Sequence, residues 1–449
     1  MKRYPIFFIT ALLFALVGCD KFLDKKADLK MAIPESIEDG EALMDNYSML
    51  NQGYPYIGEL CSDNFQMSYA DWSAITIDED RDLFVWNIQA APPATQWSAS
   101  YRVVYNANQV LAMIDKLPSN DRSEQLKGKA LFFRAYAHLA LGELFVDVPR
   151  ADKSNAAKIA IPYRKTPNIE EHSPRVTIGE FYEQLIADLR SATELLKDNN
   201  DKASRPSYTA SLALLARVYL YLQDYEQAAY YADKCLQRNA SLLDFNVLNQ
   251  SSNTPISRFN TEVLFQAISS GSATYTRTRW KVSAELMEVY QANDLRRTVF
   301  FINNNDGTYS FKGNYDGVLN QAPFSGLAVD EMYLIRAESN ARLGKIALAR
   351  KDINDLLRSR WKSGTYTDRT DTDPVTLLDF ILKERRKELI MRQRRWPDLK
   401  RLNLKAETAV TLKRSWTEKL AELQPNAPQY TFLIPFAVLN NSMLTQTER

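Results

Sequence analysis

The sequence predicts a mostly α-helical domain that is built on helical hairpins and interrupted by long irregular insertions. Two observations support this fold class. Several segments contain two amphipathic helices joined by a short turn, with small residues at helical spacing from large ones. Between these segments, residues 55–100 and 239–325 are rich in Asn, Ser, Thr, Gly, Pro and aromatic residues and show few long helical stripes. Insertions of this length in a compact domain usually carry a function.

The N-terminus has the pattern of a lipoprotein signal peptide. Two basic residues precede an apolar run over residues 6–17, which is too short for a transmembrane helix of about 20 residues. The run ends at Gly18-Cys19, and polar residues follow at once. We therefore predict a signal peptide over residues 1–18 and a lipid on Cys19 that holds the protein at a membrane surface. A signal peptide cut elsewhere, or a buried helix with an incidental cysteine, is the less favoured interpretation.

The rest of the chain is expected to form a tether over residues 19–34 and one folded domain over residues 35–449. The whole sequence carries 56 basic and 55 acidic side chains, so it has no overall attraction to nucleic acid. We interpret Cys61 and Cys235 as small buried hydrophobes, although the sequence leaves a disulfide between them open.

The clearest hairpin covers residues 208–236. Its pattern, L-x-x-A-R-x-Y-L-x-x-x-D-Y-x-x-A-x-x-Y-A, resembles a tetratricopeptide repeat. Further hairpins are predicted near residues 126–198 and 330–360, and a helix over residues 376–393 is expected to pair with a neighbour that the sequence does not identify. Imperfect copies separated by insertions favour hairpins within a larger domain over a regular solenoid.

The sequence offers little for catalysis. Of its two histidines, His138 lies in an apolar helical segment and is interpreted as structural, and His172 lies in a loop. No metalloprotease, nucleophile-elbow, phosphate-loop or Cys-x-x-Cys motif is present. The acidic run at residues 78–80 is interpreted as a solvated turn rather than a calcium loop. We expect no enzyme activity, metal or cofactor; a glycosidase, whose two carboxylates come from separate elements, is the least favoured alternative.

Aromatic residues in the two insertions suggest a sugar-binding surface. A flat ring can stack on the apolar C–H face of a sugar while nearby polar groups bind its hydroxyls. The candidates are Trp72, Trp97, Tyr275 and Trp280, although core packing is the commoner role of each aromatic residue taken alone. The polar surroundings of Trp72 and Tyr275 predict that these two are exposed.

The basic run over residues 383–401 mixes arginine and lysine with glutamate on a helix that also carries apolar residues. Alternating signs favour ion pairs within the protein over a surface for nucleic acid.

Five motifs resemble, in order, the SusD/RagB family of outer-membrane nutrient-binding lipoproteins. They are C-D-K-F-L-D at residues 19–24, A-L-F-F-R-A-Y at 130–136 with L-F-V-D-V-P at 144–149, M-Y-L-I-R-A-E at 332–338, E-R-R-K-E-L at 384–389 with R-W-P-D-L-K-R at 395–401, and F-L-I-P at 432–435. Val146 replaces the usual glycine of the family, and the ending at residues 440–446 is shortened. Each motif is weak alone, but their order along the chain makes the resemblance specific.

The resemblance implies a single SusD-like domain on tetratricopeptide-like hairpins, located at the outer-membrane surface. It implies a TonB-dependent SusC-like transporter as partner, to which the lipoprotein delivers an oligosaccharide or another oligomeric nutrient without chemical change. In starch-binding members an aromatic arc holds the sugar, with Asn and Arg supplying hydrogen bonds. By location, this adds Arg81, Asn106 and Asn108 to the aromatic candidates. The alternatives are a peptide-binding RagB-like member and a tetratricopeptide scaffold of an envelope complex.

Overall fold

The protein is described by a computed structural model that covers residues 34–198, 202–318 and 322–449. The predicted signal peptide, Cys19 and most of the tether lie outside these residues. The helices, numbered in chain order, are α1 (Ile37–Met44), α2 (Tyr47–Leu50), α3 (Ile57–Cys61), α4 (Tyr69–Ser73), α5 (Asp78–Phe84), α6 (Thr95–Ile114), α7 (Asp121–Phe145), α8 (Ile178–Leu195), α9 (Tyr208–Tyr221), α10 (Tyr225–Arg238), α11 (Ala284–Glu288), α12 (Arg296–Val299), α13 (Val329–Arg342), α14 (Ile346–Arg358), α15 (Pro374–Glu388), α16 (Arg395–Leu402) and α17 (Phe436–Asn440).

The long helices form a stack of hairpins in which each packs on its neighbours. Helix α7 packs on α6 and α8, α9 on α8 and α10, and α13 on α10, α14 and α15. The turns suit their sequence: Gln223, between α9 and α10, and Gly344, between α13 and α14, both have φ in the left-handed region, at 61° and 74°. The predicted fold class, mostly α-helical with hairpins and irregular insertions, is confirmed.

Two helix boundaries differ from the sequence prediction. Residues 95–100 belong to the long helix α6 rather than to an insertion. Its buried face includes the polar residues Gln96, Asn106 and Asn108, which interrupt the apolar stripe by which a core helix is recognised. The helix expected over residues 376–393 ends at residue 388 because Met391 and Gln393 adopt left-handed φ angles of 54° and 59°. The partner that the sequence did not identify for this helix is α13.

Short strands, several of them in the second insertion, connect distant parts of the chain. The strands are β1 (Gln52–Tyr54), β2 (Phe65–Gln66), β3 (Val263–Phe265), β4 (Ile268–Ser269), β5 (Lys281–Val282), β6 (Phe301–Asn303), β7 (Tyr309–Phe311), β8 (Leu327–Ala328), β9 (Leu412–Ser415) and β10 (Leu420–Leu423). They form two-stranded sheets: β1 pairs with β4 in parallel, and β2–β5, β3–β8, β6–β7 and β9–β10 are antiparallel. The pair β2–β5 joins the two predicted insertions, and β1–β4 joins the segment just before the first insertion to the second.

The basic run over residues 383–401 folds into the interior and forms ion pairs, as predicted. Arg394 pairs with Glu143 at 2.7 Å, Arg395 with Asp63 at 2.6 Å and Arg392 with Asp330 at 3.1 Å. Trp396 is fully buried and stacks on Phe432, with ring centroids 5.3 Å apart. These motif residues therefore hold α15 and α16 to the rest of the domain.

Two smaller predictions about the core are confirmed. Cys61 and Cys235 are buried free thiols, and burial raises the pKa of both. His138 is buried: its Nδ1 donates to the Arg134 carbonyl at 2.9 Å, and its Nε2 accepts from the Arg164 amide at 3.2 Å. Burial lowers the pKa of His138 to about 3, so the ring is neutral and structural. Within the described residues, no helix has the length and hydrophobicity to cross a membrane.

Candidate ligand-binding site

An aromatic surface lies where the first insertion meets the β9–β10 hairpin. We call Tyr69, Trp72 and Trp416 the aromatic platform. Trp72 and Trp416 are stacked, with ring centroids 5.2 Å apart and ring planes 26° apart, and Tyr69 lies 5.4 Å from Trp72 and 5.9 Å from Trp416. Tyr69 and Trp416 are half-buried, whereas Trp72 is 8% exposed. The three rings form one continuous aromatic cluster that reaches the surface at Tyr69 and Trp416.

The polar edges of both platform tryptophans point into the protein. The indole N–H of Trp72 donates to the Arg81 carbonyl, and that of Trp416 donates to the Met67 carbonyl, each at 2.9 Å. Because the buried N–H groups have partners, the rings are held at fixed angles without help from a ligand. A stacking surface of this kind does not have to reorganise when a flat apolar group arrives.

One ring face of the platform is covered by a lysine. The Nζ of Lys419 lies 4.4 Å from the centroid of the Trp72 ring. Lys419 sits in the turn between β9 and β10, which is closed by a 2.9 Å hydrogen bond from the Trp416 amide to the Lys419 carbonyl. A cation–π contact of a partly exposed lysine is worth only about 0.5–1 kcal/mol, so a ligand that stacks on Trp72 could displace this side chain.

Charged side chains of both signs lie on the residues next to Trp72 or hydrogen-bonded to it. Arg81 pairs with Asp78 at 2.7 Å, and Arg279 lies 3.9 Å from Asp71. Arg279 and Asp71 belong to different insertions and are half-exposed. The rim therefore offers both donors and acceptors beside the rings, which is the combination that a sugar hydroxyl needs.

The platform is supported from behind by a buried carboxylate. Asp80, on α5, accepts hydrogen bonds from the Tyr56 hydroxyl at 2.7 Å, from Ser272 at 2.8 Å and from Thr274 at 3.0 Å. It is fully buried, and burial raises its pKa. The interpretation of residues 78–80 as a solvated turn was wrong for Asp80, because this residue lies on the inner face of a helix and joins the two insertions.

A buried cation lies beside the same aromatic cluster. The guanidinium of Arg414, on β9, lies 4.2 Å from the Phe84 ring centroid and 4.9 Å from that of Trp86. It donates to the Ser62 carbonyl at 2.5 Å. Burial lowers the pKa of Arg414 to about 10, and the two aromatic faces supply part of the stabilisation that water would otherwise give. Arg414 thus fixes the hairpin that carries Trp416.

The structure places four of the predicted site residues in or behind this surface. Trp72 and Arg81 belong to the platform and its rim. Tyr275 and Trp280 lie behind it: the Tyr275 hydroxyl donates to the Tyr56 carbonyl at 2.7 Å, and Trp280 stacks on Phe65 with centroids 5.1 Å apart. The expected exposure of Trp72 and Tyr275 was wrong, since they are 8% and 6% exposed. The polar neighbours did not predict exposure: Thr274, beside Tyr275, is itself buried and donates to Asp80.

The other three predicted residues lie elsewhere, on α6. Asn106 donates to the Arg102 carbonyl within the helix at 2.9 Å, and Asn108 donates to the carbonyls of Arg164 and Thr166, each at 3.2 Å. Trp97 packs on Phe145 at 5.1 Å. Trp97 and Asn108 line a separate cleft, and neither asparagine is brought to the platform.

Sequence reasoning missed two platform residues, Tyr69 and Trp416. Trp416 lies almost 350 positions from Trp72 in a segment that no motif marks. The only available signal was a tryptophan in the strongly polar stretch Ser415–Lys419, where an aromatic side chain has little local reason to be buried. Contacts over such sequence distances depend on tertiary packing and not on local pattern.

Comparison with known proteins agrees with this architecture. A family model for SusD-like proteins, described as "Starch-binding associating with outer membrane", matches residues 21–220, and the model of the SusD family matches residues 328–437. Together the two models cover well over half of the chain. The SusD-like protein P2 of Formosa agariphila is 26% identical over 90% of this chain and 91% of its own length.

Solved structures share the fold. A SusD superfamily protein from Bacteroides thetaiotaomicron has a TM-score of 0.73 at 19% identity and covers 92% of this chain and 100% of its own. The surface glycan-binding protein A of Bacteroides fluxus has a TM-score of 0.69 at 18% identity, with coverage of 92% and 99%. At these identities the similarity shows the fold.

Proposed function

Because the chain belongs to the SusD/RagB family, we propose that it is an outer-membrane surface lipoprotein that binds an oligosaccharide and delivers it to a TonB-dependent SusC-like transporter. The observation that carries the ligand class is the aromatic platform formed by Tyr69, Trp72 and Trp416. Its rings are pre-oriented, partly open to solvent and bordered by paired charges.

A saccharide suits this surface for a physical reason. A sugar ring presents an apolar C–H face, which gains from burial against an aromatic ring, and hydroxyls, which need donors and acceptors. Arg81 and Arg279 can donate to a hydroxyl, and Asp71 and Asp78 can accept from one. The name of the structural relative from Bacteroides fluxus, a surface glycan-binding protein, supports the same ligand class.

The membrane anchor and partner complete the proposal. A lipid on Cys19 would keep the domain at the outer membrane, and a tether of about 15 residues could extend to roughly 50 Å, which leaves room for movement above a transporter. We propose binding and delivery without catalysis, in line with the glycan-binding name of the Bacteroides fluxus relative.

A peptide ligand is the second candidate, and one observation favours it. In the described part of the chain, β9 and β10 pair only with each other beside Trp416, and Leu420 at the start of β10 is 63% exposed. A free strand edge can bind an extended peptide by adding a strand to the sheet. The saccharide is preferred because the platform rings lie next to polar side chains rather than apolar pockets.

A binding panel tests the proposal. The full chain, purified in detergent, is titrated calorimetrically with hexasaccharides of starch, xylan, mannan, laminarin and cellulose and with a set of random heptapeptides. We expect one or more glycans to bind and Trp416→Ala to weaken that binding about tenfold or more. The matched control is Trp361→Ala, which removes a half-buried tryptophan outside the platform. Binding of peptides but of no glycan would reject the saccharide and favour the second candidate.

A further inference from the structure

A second cleft, separate from the aromatic platform, runs along α6. Its volume is about 690 Å³, within the range of about 300–1,000 Å³ that is common for small-ligand sites. One wall is α6, a second is residues 162–173, and a third is residues 438–444, which include the end of α17. None of the residues that form the platform contributes to these walls.

The α6 wall presents a line of aromatic rings. Trp97, Tyr101 and Tyr105 follow each other at four-residue spacing, so they share one face of the helix. At a rise of 1.5 Å per residue, the line from Trp97 to Tyr105 is about 12 Å long. Trp97 at the inner end is 5% exposed, whereas Tyr101 and Tyr105 are half-exposed. The line therefore offers two partly exposed rings, Tyr101 and Tyr105, beside the buried Trp97.

The inner part of the opposite wall is held in place by α6 itself. The Tyr101 hydroxyl donates to the Pro162 carbonyl at 2.7 Å, and the Asn108 amide donates to the carbonyls of Arg164 and Thr166. Asn108 also accepts from Arg134 at 3.0 Å, which fixes its orientation. The distance between the two walls is thus set by hydrogen bonds, and the cleft exists without a ligand.

The outer part of the cleft mixes apolar and polar groups. Ile169 and Met443 stand on opposite sides of the opening and are 73% and 75% exposed. Glu170, His172 and Asn440 are exposed beside them. Apolar rims with interspersed amide, imidazole and carboxylate groups can cover both faces of a ligand that is apolar on its ring faces and polar at its edges.

We propose that this α6 cleft is a second saccharide-binding site, which takes sugar rings along Tyr101 and Tyr105, with Trp97 at its floor. The ligand class rests on the proposed function, while the location does not. A peptide is less suitable here, because no strand in the described part of the chain lines the cleft and its inner wall already uses its carbonyls for α6. Two sites on one body allow a long glycan to be held at two points, which raises its overall affinity.

Substitutions of Tyr105 distinguish a ligand-binding role of the α6 cleft from a purely structural role. It is half-exposed, and its hydroxyl accepts a hydrogen bond from the neighbouring Gln109 at 2.6 Å. Tyr105→Ala removes a stacking face with little effect on the core, and Tyr105→Phe keeps the face. Tyr230→Ala is the matched control, since Tyr230 is 50% exposed on α10 and lies outside the cleft.

The experiment is calorimetric titration of the full chain in detergent with the same five hexasaccharides. We expect two binding events in the unsubstituted chain. Tyr105→Ala should weaken one event about tenfold and leave the other unchanged, Tyr105→Phe should restore it, and Trp416→Ala should weaken the other event alone.

Three contrary outcomes are distinguishable. If Tyr105→Ala binds as the unsubstituted chain does while Trp416→Ala abolishes binding, the α6 cleft is rejected and the proposed function stands. If Tyr105→Ala weakens binding and Trp416→Ala does not, the platform is rejected and the cleft stands. If no hexasaccharide binds, both the proposed function and the ligand class of the cleft are rejected.

Discussion

Buried carboxylates are neutralised differently in the helical hairpins and behind the aromatic platform. In the hairpins, Glu331 is paired with Arg217 through two bonds of 2.9 and 2.6 Å, and Glu338 with Arg401 through bonds of 2.6 and 2.7 Å. Burial alone would raise the pKa of both carboxyls, but the adjacent guanidinium groups outweigh it and lower each pKa to about 2.

Behind the platform, the partners are neutral. Glu59 on α3 accepts from the Asn64 amide at 3.1 Å and has no ion pair within the described residues. Burial raises its pKa to about 7. Asp80 is held by three hydroxyl groups, and its pKa is also raised. The hairpins are therefore held by charge pairs that persist over a wide pH range, whereas Glu59, which has no cationic partner within the described residues, titrates near pH 7.

The largest expected effect comes from breaking a hairpin charge pair. Arg401→Ala leaves the buried carboxylates of Glu338 and Asp398 short of a cation, and we expect the free energy of unfolding to fall by about 3–5 kcal/mol. Urea denaturation measures this free energy of unfolding. Arg358→Ala, which removes an exposed arginine that pairs with Asp355 and Asp368, should leave stability close to unchanged. A similar small loss for both variants would contradict the ion-pair account.

The next effect concerns pH. Because the pKa of Glu59 is about 7 when folded and 4.5 when unfolded, the folded state binds the extra proton between these values, and stability falls as pH rises from about 4.5 to 7. The change is on the order of 3 kcal/mol. Glu331 acts oppositely: its contribution is complete above pH 4.5 and is lost only as pH falls towards 2.

Glu59→Gln tests the predicted fall in stability with rising pH. The unfolding free energies of both proteins, measured in urea at pH 5 and pH 8, should differ less with pH in the variant than in the unsubstituted chain. An unchanged difference between the two pH values would show that Glu59 is not the titrating group.

A smaller change in stability is expected when Asp80, the buried carboxylate behind the platform, is substituted. Asp80→Asn keeps an acceptor for the Tyr56 hydroxyl and removes a charge that burial disfavours, so stability should change by no more than about 1 kcal/mol. Asp80→Ala leaves three buried hydroxyl donors without their acceptor and should cost about 2–3 kcal/mol. Thermal unfolding of the pair measures this. An asparagine variant as unstable as the alanine variant would show that the charge itself is required.

The smallest effect is expected at the surface of the platform. Lys419→Ala uncovers a face of Trp72, so the affinity for a bound glycan should rise a few-fold, since displacing a cation–π contact costs about 0.5–1 kcal/mol. Lys413→Ala is the control on the same hairpin, where the lysine pairs with Glu422 and not with the platform. Weaker glycan binding by Lys419→Ala than by the control would mean that Lys419 contacts the ligand.

The difference between the helical hairpins and the platform region also explains which features the sequence could predict. The hairpin around residues 208–236 could be predicted from the sequence because its contacts are local and repeat at helical spacing. The ion pairs of residues 383–401 were foreseeable as a class because their charges alternate, although their partners, such as Asp63 and Glu143, lie hundreds of positions away.

The candidate site was harder to predict from the sequence than the hairpins. Trp72 was identified from composition and Arg81 from the family resemblance, but Trp416 reaches the platform through the β9–β10 hairpin, and no local pattern shows that contact. Asp80 looked like a solvated residue because its sequence neighbours are acidic, and only the hydroxyls of Ser272 and Thr274 explain its burial. Sites built from insertions depend on such long-range contacts.

A crystal structure of the full chain with its tightest-binding hexasaccharide tests the central claim most directly. We expect a sugar ring stacked on the platform. Lys419, whose Nζ lies 4.4 Å from the centroid of the Trp72 ring in the free protein, should have moved away from that ring. We also expect Arg81 or Arg279 to donate hydrogen bonds to sugar hydroxyls, or Asp71 to accept one from them. A glycan bound elsewhere on the molecule, with Lys419 still over Trp72 and the platform open to solvent, would contradict the central claim.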